Sequence, residues 1–110
     1  MHLDPSSAVP VFRQIADGIA QSIAAGIYQP GELVPSIRVL ATRLLINPNT
    51  VTRAYEELER EGILTTRKGV GMAVVARSMG PARSRCEELV ASSLEQAVRV
   101  AGAAGLTRAE

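Results

Sequence analysis

The sequence of 110 residues contains no Trp, one Phe and two Tyr, and it has a single Cys and a single His. With so few aromatic side chains, a platform on which single-stranded nucleic acid stacks base by base is excluded. The core must instead be built from aliphatic side chains. One thiol cannot form an internal disulfide, and Cys86 with His2 cannot complete a zinc site. We therefore expect a reducing compartment, no metal site and no cofactor.

Long apolar runs are missing as well. No stretch of 18 apolar residues could span a membrane, and the first five residues lack the basic start and apolar run of a signal peptide. The sequence also shows no Ser-His-Asp set and no general base in an evident pocket. We expect a cytoplasmic protein that has no membrane partner and is not an enzyme.

Charge is distributed unevenly although the net charge is only +1. Residues 1–33 carry one basic and three acidic side chains, whereas residues 34–77 carry seven basic and four acidic ones. Residues 78–110 carry four of each sign. Because a nucleic acid responds to a local basic surface rather than to the total charge, residues 34–77 are the part of the chain that favours such a partner.

Hydrophobic periodicity predicts two helices in the first half of the chain. The first has Pro10 as its N1 residue, repeats apolar residues at steps of three and four, and ends at Gly26. The second follows a turn, is capped by Ser36 and has room for about two or three turns. Leu45 and Ile46 form a short connection to the next element.

A third helix and a hairpin are predicted to follow this connection. Asn47 stands where an N-cap is needed and Pro48 where the first helical residue belongs, and the helix pattern runs to Gly62. Two short β-type runs, residues 63–66 and 72–75, are separated by a basic tip with two glycines, residues 67–71. The predicted order is three helices and then a two-stranded wing.

Polar residues at the start of the third helix indicate how this arrangement could be used. Asn49 and Thr50 precede Arg53 by four and three residues, so the three side chains project from one face near the helix N-terminus. Two helices in a tight turn, with such a face on the second, form the geometry that reads the major groove. An amide can pair with adenine and an arginine with guanine. The alternative is an ordinary solvated face.

Several segments, taken together and in order, resemble the GntR family. They are residues 10–15, 26–31, 33–41 and 47–55, and the resemblance covers roughly residues 8–75. The run Asn-Pro-Asn-Thr at residues 47–50, followed by residues 57–62, resembles the YtrA branch of that family. Two departures stand out, because many relatives have Gly in place of Leu45 and many in other branches have Arg in place of Pro48.

The resemblance implies a homodimeric winged-helix repressor that reads a two-fold symmetric operator. It also implies that Arg38, the first polar residues of the recognition helix and the wing glycines lie at the DNA. The YtrA branch further implies a short helical dimer region and target genes that often encode transporters. The predicted DNA-binding residues are Ser36, Arg38, Asn47, Asn49, Thr50, Arg53, Arg67, Lys68, Gly69 and Gly71.

The last part of the chain is predicted to mediate dimerisation. After a break at residues 78–81, apolar residues recur at helical spacing from about residue 82 to 102. So small a chain leaves little for this stripe to pack on, and we expect it to meet a second copy. The residues predicted to form this interface are Leu89, Val90, Leu94, Ala97, Val98 and Ala101.

The predicted organisation is a mainly α fold with a small β-wing. Residues 1–77 form a winged helix-turn-helix DNA-binding domain, and residues 78–110 form a short helical dimerisation or effector segment. Thr107 to Glu110 has the capping-box pattern that normally opens a helix, so either the tail frays or a last helix is missing. The sequence leaves open the binding of a small-molecule effector, of unidentified chemistry, beside the 82–102 helix. The competing function is a winged-helix protein interaction module without specific DNA binding.

Overall fold

The computed structural model describes residues 1–103 and, within them, the side chains of residues 1–91. The prediction of a mainly α fold with a small two-stranded wing is confirmed. The elements in chain order are α1 Val11–Ala24, α2 Ile37–Leu44, α3 Pro48–Arg60, β1 Leu64–Arg67, β2 Gly71–Val74 and α4 Met79–Ala103.

Side-chain caps set the starts of α2 and α3, as predicted. The Ser36 hydroxyl accepts a hydrogen bond from the Val39 amide at 3.2 Å, and the Asn47 carboxamide oxygen accepts one from the Asn49 amide at 2.8 Å. Each bond satisfies an amide that has no partner within its helix. Pro10 is the N-cap of α1 rather than its first residue, so this boundary was predicted one position too early.

The connection between α2 and α3 contains the one non-glycine residue with positive φ among the described residues. Leu45 has φ 57° and ψ 46°, which places it in the left-handed region. Its side chain is 90% exposed, and the next amide, that of Ile46, donates back to the Ala41 carbonyl at 3.1 Å. The turn thus gives a carbonyl at the end of α2 a hydrogen-bond donor. Glycine normally occupies the left-handed position in such a turn, and here a leucine does.

One aliphatic core joins α1, α2, α3 and the sheet. Tyr55 is the largest side chain in it, and its hydroxyl donates to the Pro35 carbonyl oxygen at 2.7 Å. That bond fixes the segment before α2 against α3. The main helical contributors are Ile15, Ala16, Ile19, Ala20 and Ile23 from α1, and Val51, Ala54, Tyr55 and Leu58 from α3.

The wing is an antiparallel hairpin whose strands lie one residue from their predicted positions. Leu64 pairs with Val74 at its base, and Arg67 pairs with Gly71 at its tip. A feature that the sequence did not predict is a third extended segment, since Leu33 forms a bridge with Ala73. The Val34 amide donates to the Met72 carbonyl at 3.0 Å, so the segment before α2 is tied to β2.

The break predicted at residues 78–81 is wrong, because α4 begins at Met79 and includes Gly80 and Pro81 in its first turn. Proline is tolerated there because first-turn amides have no intrahelical acceptor. The first turns of α4 also pack within the chain, contrary to expectation. Ala82 is fully buried, and Cys86 contacts the core.

Arg85 joins α4 to two other helices. Its guanidinium contacts Asp17 of α1 at 2.8 Å, Glu57 of α3 at 2.7 Å and Glu61 at the end of α3 at 2.6 Å. The side chain is only 12% exposed. Burial alone would lower the pKa of Arg85, but hydrogen bonds to Glu61, Glu57 and Asp17 outweigh it and raise that pKa above its usual value. The group stays charged, and we call these four residues the Arg85 cluster.

Part of the predicted dimer interface lies outside the residues whose side chains the structure describes. Leu89 is half-buried and Val90 is 58% exposed. Leu94, Ala97, Val98 and Ala101 lie beyond the residues whose side chains are described, and the capping-box pattern at 107–110 lies beyond the described backbone. In the described part of the chain, no helix is both long and apolar enough to cross a membrane.

Candidate DNA-binding surface

The outward face of α3 carries the polar residues predicted to read bases. The opposite face is fixed in the core, since Val51, Ala54 and Leu58 are fully buried. Asn49 and Arg53 are one turn apart and exposed. The orientation of this face is therefore fixed, because α3 cannot rotate about its axis without exposing these buried side chains.

A shallow groove of about 370 Å³ brings four of the predicted residues together. They are Asn47, Asn49, Thr50 and Arg53, and α1 supplies the opposite wall. Asn47 already uses its carboxamide oxygen as the α3 cap, and Thr50 is half-buried. Asn49 and Arg53 are the more accessible polar groups of this groove.

Phe12, an apolar residue in the first turn of α1, lies directly against Arg53. The guanidinium carbon of Arg53 is 3.9 Å from the centroid of the Phe12 ring. This contact joins residues 41 positions apart, counting from 12 to 53. No periodicity in either segment could have indicated it.

The acidic residues of α3 are largely engaged with other partners. Glu57 and Glu61 belong to the Arg85 cluster. Glu59 accepts a hydrogen bond from the Thr66 hydroxyl of β1 at 3.0 Å. These contacts hold three carboxylates toward α4 and the wing, so the first turns of α3 keep their polar and basic character.

The remaining predicted DNA-binding residues lie outside the groove. Ser36 and Arg38 are exposed at the start of α2, where Ser36 is the cap. At the wing, Arg67, Lys68, Gly69 and Gly71 are all exposed. Gly69 has φ 77° and Gly71 φ 142°, so a side chain at either position would strain the tip.

A larger groove of about 690 Å³ lies beside α4, at the place where an effector was expected. Its lining includes the Arg85 cluster, with Glu88 and Leu89 of α4. Four of its six charged side chains are acidic, and three of those four are paired with Arg85. The presence of the groove does not show that an effector binds there, and effector binding stays a prediction.

Residues 12–74, more than half of the chain, match the family of bacterial regulatory proteins called gntR. The chain belongs to the GntR family. GntR proteins are bacterial transcriptional regulators with a DNA-binding helix-turn-helix, and the matched residues of this chain include α2, α3 and the wing.

Individual relatives place this GntR chain near the YtrA branch. It is 46% identical over 71 residues to the HTH-type transcriptional repressor YtrA of Bacillus subtilis, a match that covers 64% of this chain and 55% of that protein. It is 36% identical over 104 residues to the regulator YhcF of the same organism, covering 94% of this chain and 85% of YhcF. These relatives are named regulators rather than enzymes, in agreement with the sequence-based prediction.

A solved structure supports the same placement. YtrA from Sulfolobus acidocaldarius, a GntR-family transcription factor, superposes on this chain with a TM-score of 0.67 at 34% identity. The match covers 86% of this chain and 96% of that one. The resemblance to the YtrA branch and the winged-helix fold are thereby confirmed.

Proposed function

We propose that this GntR regulator is a cytoplasmic repressor that binds, as a homodimer, a two-fold symmetric operator, and that its target is a transporter operon. The observation that carries the proposal is the exposed polar start of α3, backed by a buried apolar face. Its likeness to a relative named as a repressor supports the direction of regulation. The YtrA resemblance supports the transporter target.

Each predicted residue has a role in this proposal. Asn49, Thr50 and Arg53 contact base edges, because the start of a recognition helix enters the major groove. Arg38, Arg67 and Lys68 contact phosphates. Ser36 and Asn47 orient the helix N-termini, which present free amides to phosphate. Gly69 and Gly71 let the wing backbone approach the duplex closely.

The test of sequence-specific binding measures affinity for two duplexes separately. One is a duplex that the wild-type protein selects from a randomised pool, and the other is a shuffled duplex of the same composition. Arg53→Ala should weaken binding to the selected duplex roughly ten-fold more than to the shuffled one, as loss of one base contact does. Arg83→Ala, an exposed arginine on α4, is the matched control. Equal losses on both duplexes would reduce Arg53 to a phosphate contact.

Failure to select any sequence at low salt would instead favour the protein interaction module. In that case Asn49, Thr50 and Arg53 form an ordinary hydrated surface, and no variant on it changes DNA affinity.

The homodimer is tested separately. Leu89 and Val90 leave apolar surface on α4 that a second copy can cover. Sedimentation equilibrium at micromolar concentration should give twice the mass of one chain. A monomer at that concentration contradicts the homodimer, and with it the two-fold symmetric operator.

A further inference from the structure

We propose that Phe12 is a positioning residue for DNA recognition, with a ring that holds the Arg53 guanidinium in the orientation needed to contact a base. The inference rests on the proposed function, because it concerns how Arg53 selects DNA. Phe12 lies on α1, outside the two helices of the helix-turn-helix. The surface that determines specificity would then include α1 as well as α3.

The distance between the two groups is that of a face contact. The guanidinium carbon of Arg53 is 3.9 Å from the centre of the Phe12 ring, whereas that of Arg13 is 5.9 Å from the same ring. A cation within about 6 Å of an aromatic face is attracted by the negative charge of that face. The ring therefore interacts more strongly with Arg53 than with Arg13.

Phe12 is well suited to restrain a flexible partner. It is half-buried in the first turn of α1 and packs against the core. A ring held in this way has few accessible rotamers, while an exposed arginine on its own samples many. Contact with the ring lowers the entropy that Arg53 would otherwise lose when it binds DNA.

Comparison with Arg85 shows why a ring serves this purpose better than a carboxylate. Arg85 uses its N–H groups on three carboxylates, so its donors and its charge are already satisfied. Arg53 is exposed and forms no ion pair among the described side chains, those of residues 1–91. Stacking occupies the face of a guanidinium and leaves the N–H donors at its edge, which are the groups that guanine requires.

The neighbours of the pair agree with a role in reading bases. Phe12 and Val11 form an apolar wall of the same groove that Asn49 and Thr50 line. A guanidinium fixed on that wall keeps a constant position relative to Asn49, one turn earlier on α3. Removal of the ring should therefore change the preference for one base pair, and not only the overall affinity.

The experiment compares Phe12→Leu with Phe12→Tyr on the selected and shuffled duplexes. We expect Phe12→Leu to lower the ratio of the two affinities about two- to five-fold, the effect of losing an exposed cation–π contact. Phe12→Tyr keeps the ring and should keep the ratio. Leucine preserves most of the apolar packing, and thermal melting checks that both variants fold.

The same substitution in an Arg53→Ala background separates positioning from general packing. Phe12→Leu should leave the ratio unchanged once Arg53 is absent. An unaltered ratio in the single variant, or an equal loss in both backgrounds, overturns the role of Phe12 while leaving specific binding by the wild type intact. A wild type that selects no sequence overturns the proposed function itself, and this inference with it.

A measurement without DNA tests the stacking alone. The side-chain proton resonances of Arg53 should be shifted upfield by the ring current in the wild type and in Phe12→Tyr, and should return to ordinary values in Phe12→Leu. Unshifted resonances in the wild type overturn the proposed geometry, whatever the DNA assays give.

Discussion

Leu45 holds the turn between α2 and α3 in a backbone conformation that suits glycine better. The left-handed region brings Cβ close to the following carbonyl oxygen and costs about 1–2 kcal/mol for an L-residue. With 90% of the side chain exposed, leucine gains almost no packing in return. The strain lies at the junction of the two helices that are proposed to contact DNA.

Leu45→Gly is expected to raise the free energy of unfolding by about 1 kcal/mol, because the relief of strain exceeds the entropy that glycine adds to the unfolded chain. Urea denaturation followed by circular dichroism measures the change. Leu45→Ala is the matched control, since it removes the exposed side chain but retains Cβ. A similar gain in both variants would show that the exposed leucine, and not the backbone, was the source.

Tyr55→Phe removes the hydroxyl that donates to the Pro35 carbonyl at 2.7 Å. We expect a loss of about 1 kcal/mol in the free energy of unfolding at neutral pH, because a partly buried carbonyl is left without its donor. Equilibrium unfolding measures this loss. Tyr28→Phe, which removes the hydroxyl of the other tyrosine, is the control and should cost less.

The same hydroxyl predicts a dependence of stability on alkaline pH. Burial, with a smaller effect from Tyr28, raises the pKa of Tyr55 above its ordinary value of 10.0. Above that pH the unfolded chain releases the proton while the folded chain retains it, so stability falls as pH rises. This part of the fall should be absent from Tyr55→Phe. An identical alkaline profile in wild type and variant would contradict the raised pKa.

At the scale of whole elements, the attachment of α4 depends on the Arg85 cluster. Three helices meet at one guanidinium, and the carboxylates around it are each less than two-fifths exposed, at 17%, 17% and 37%. Without the arginine, three negative charges would remain close together with no partner.

Arg85→Ala should lower the free energy of unfolding by about 2 kcal/mol, a value below that for fully buried pairs because solvent screens part of the cluster. Urea unfolding of the variant is compared with that of Arg83→Ala, an exposed arginine on the same helix that forms no ion pair among the described side chains. A loss as small as that of Arg83→Ala would mean that apolar contacts of Ala82 and Cys86 alone hold α4.

At the scale of the whole molecule, the wing and the recognition helix are expected to contribute to DNA binding in different ways. Lys68→Ala should weaken binding to selected and shuffled duplexes by the same factor and reduce the slope of log affinity against log salt by about 0.9 per protomer. Titrations over a range of salt concentrations measure the slope. A change in preferred sequence would instead assign Lys68 to base reading.

The helix boundaries that the sequence predicted well are those set by local chemistry. Ser36 and Asn47 cap the helices that follow them, and each signal lies within three residues of the amide it satisfies. The start of α4 was predicted wrongly because Gly80 and Pro81 normally mark a break, whereas a proline in the first turn loses no helical bond. Neighbouring residues alone could not separate these two cases.

The candidate site was predicted in its α3 half only. The spacing of Asn49, Thr50 and Arg53 follows from helix geometry, and the structure brings all three to one groove. The contribution of Phe12 and the contacts of Arg85 depend on how helices pack. Arg85 meets Asp17 across 68 positions and Glu61 across 24, so no local pattern records either contact.

The Arg85 cluster also limits where this chain could be joined to an effector domain from another protein. The segment shared with the family ends at residue 74, and three carboxylate partners of Arg85 lie inside it while Arg85 lies outside. A chimera that joined the first 77 residues to an unrelated C-terminal domain would carry those carboxylates without their counter-ion. A junction placed after residue 86 would transfer the arginine with them, so the practical unit for grafting is longer than the family segment.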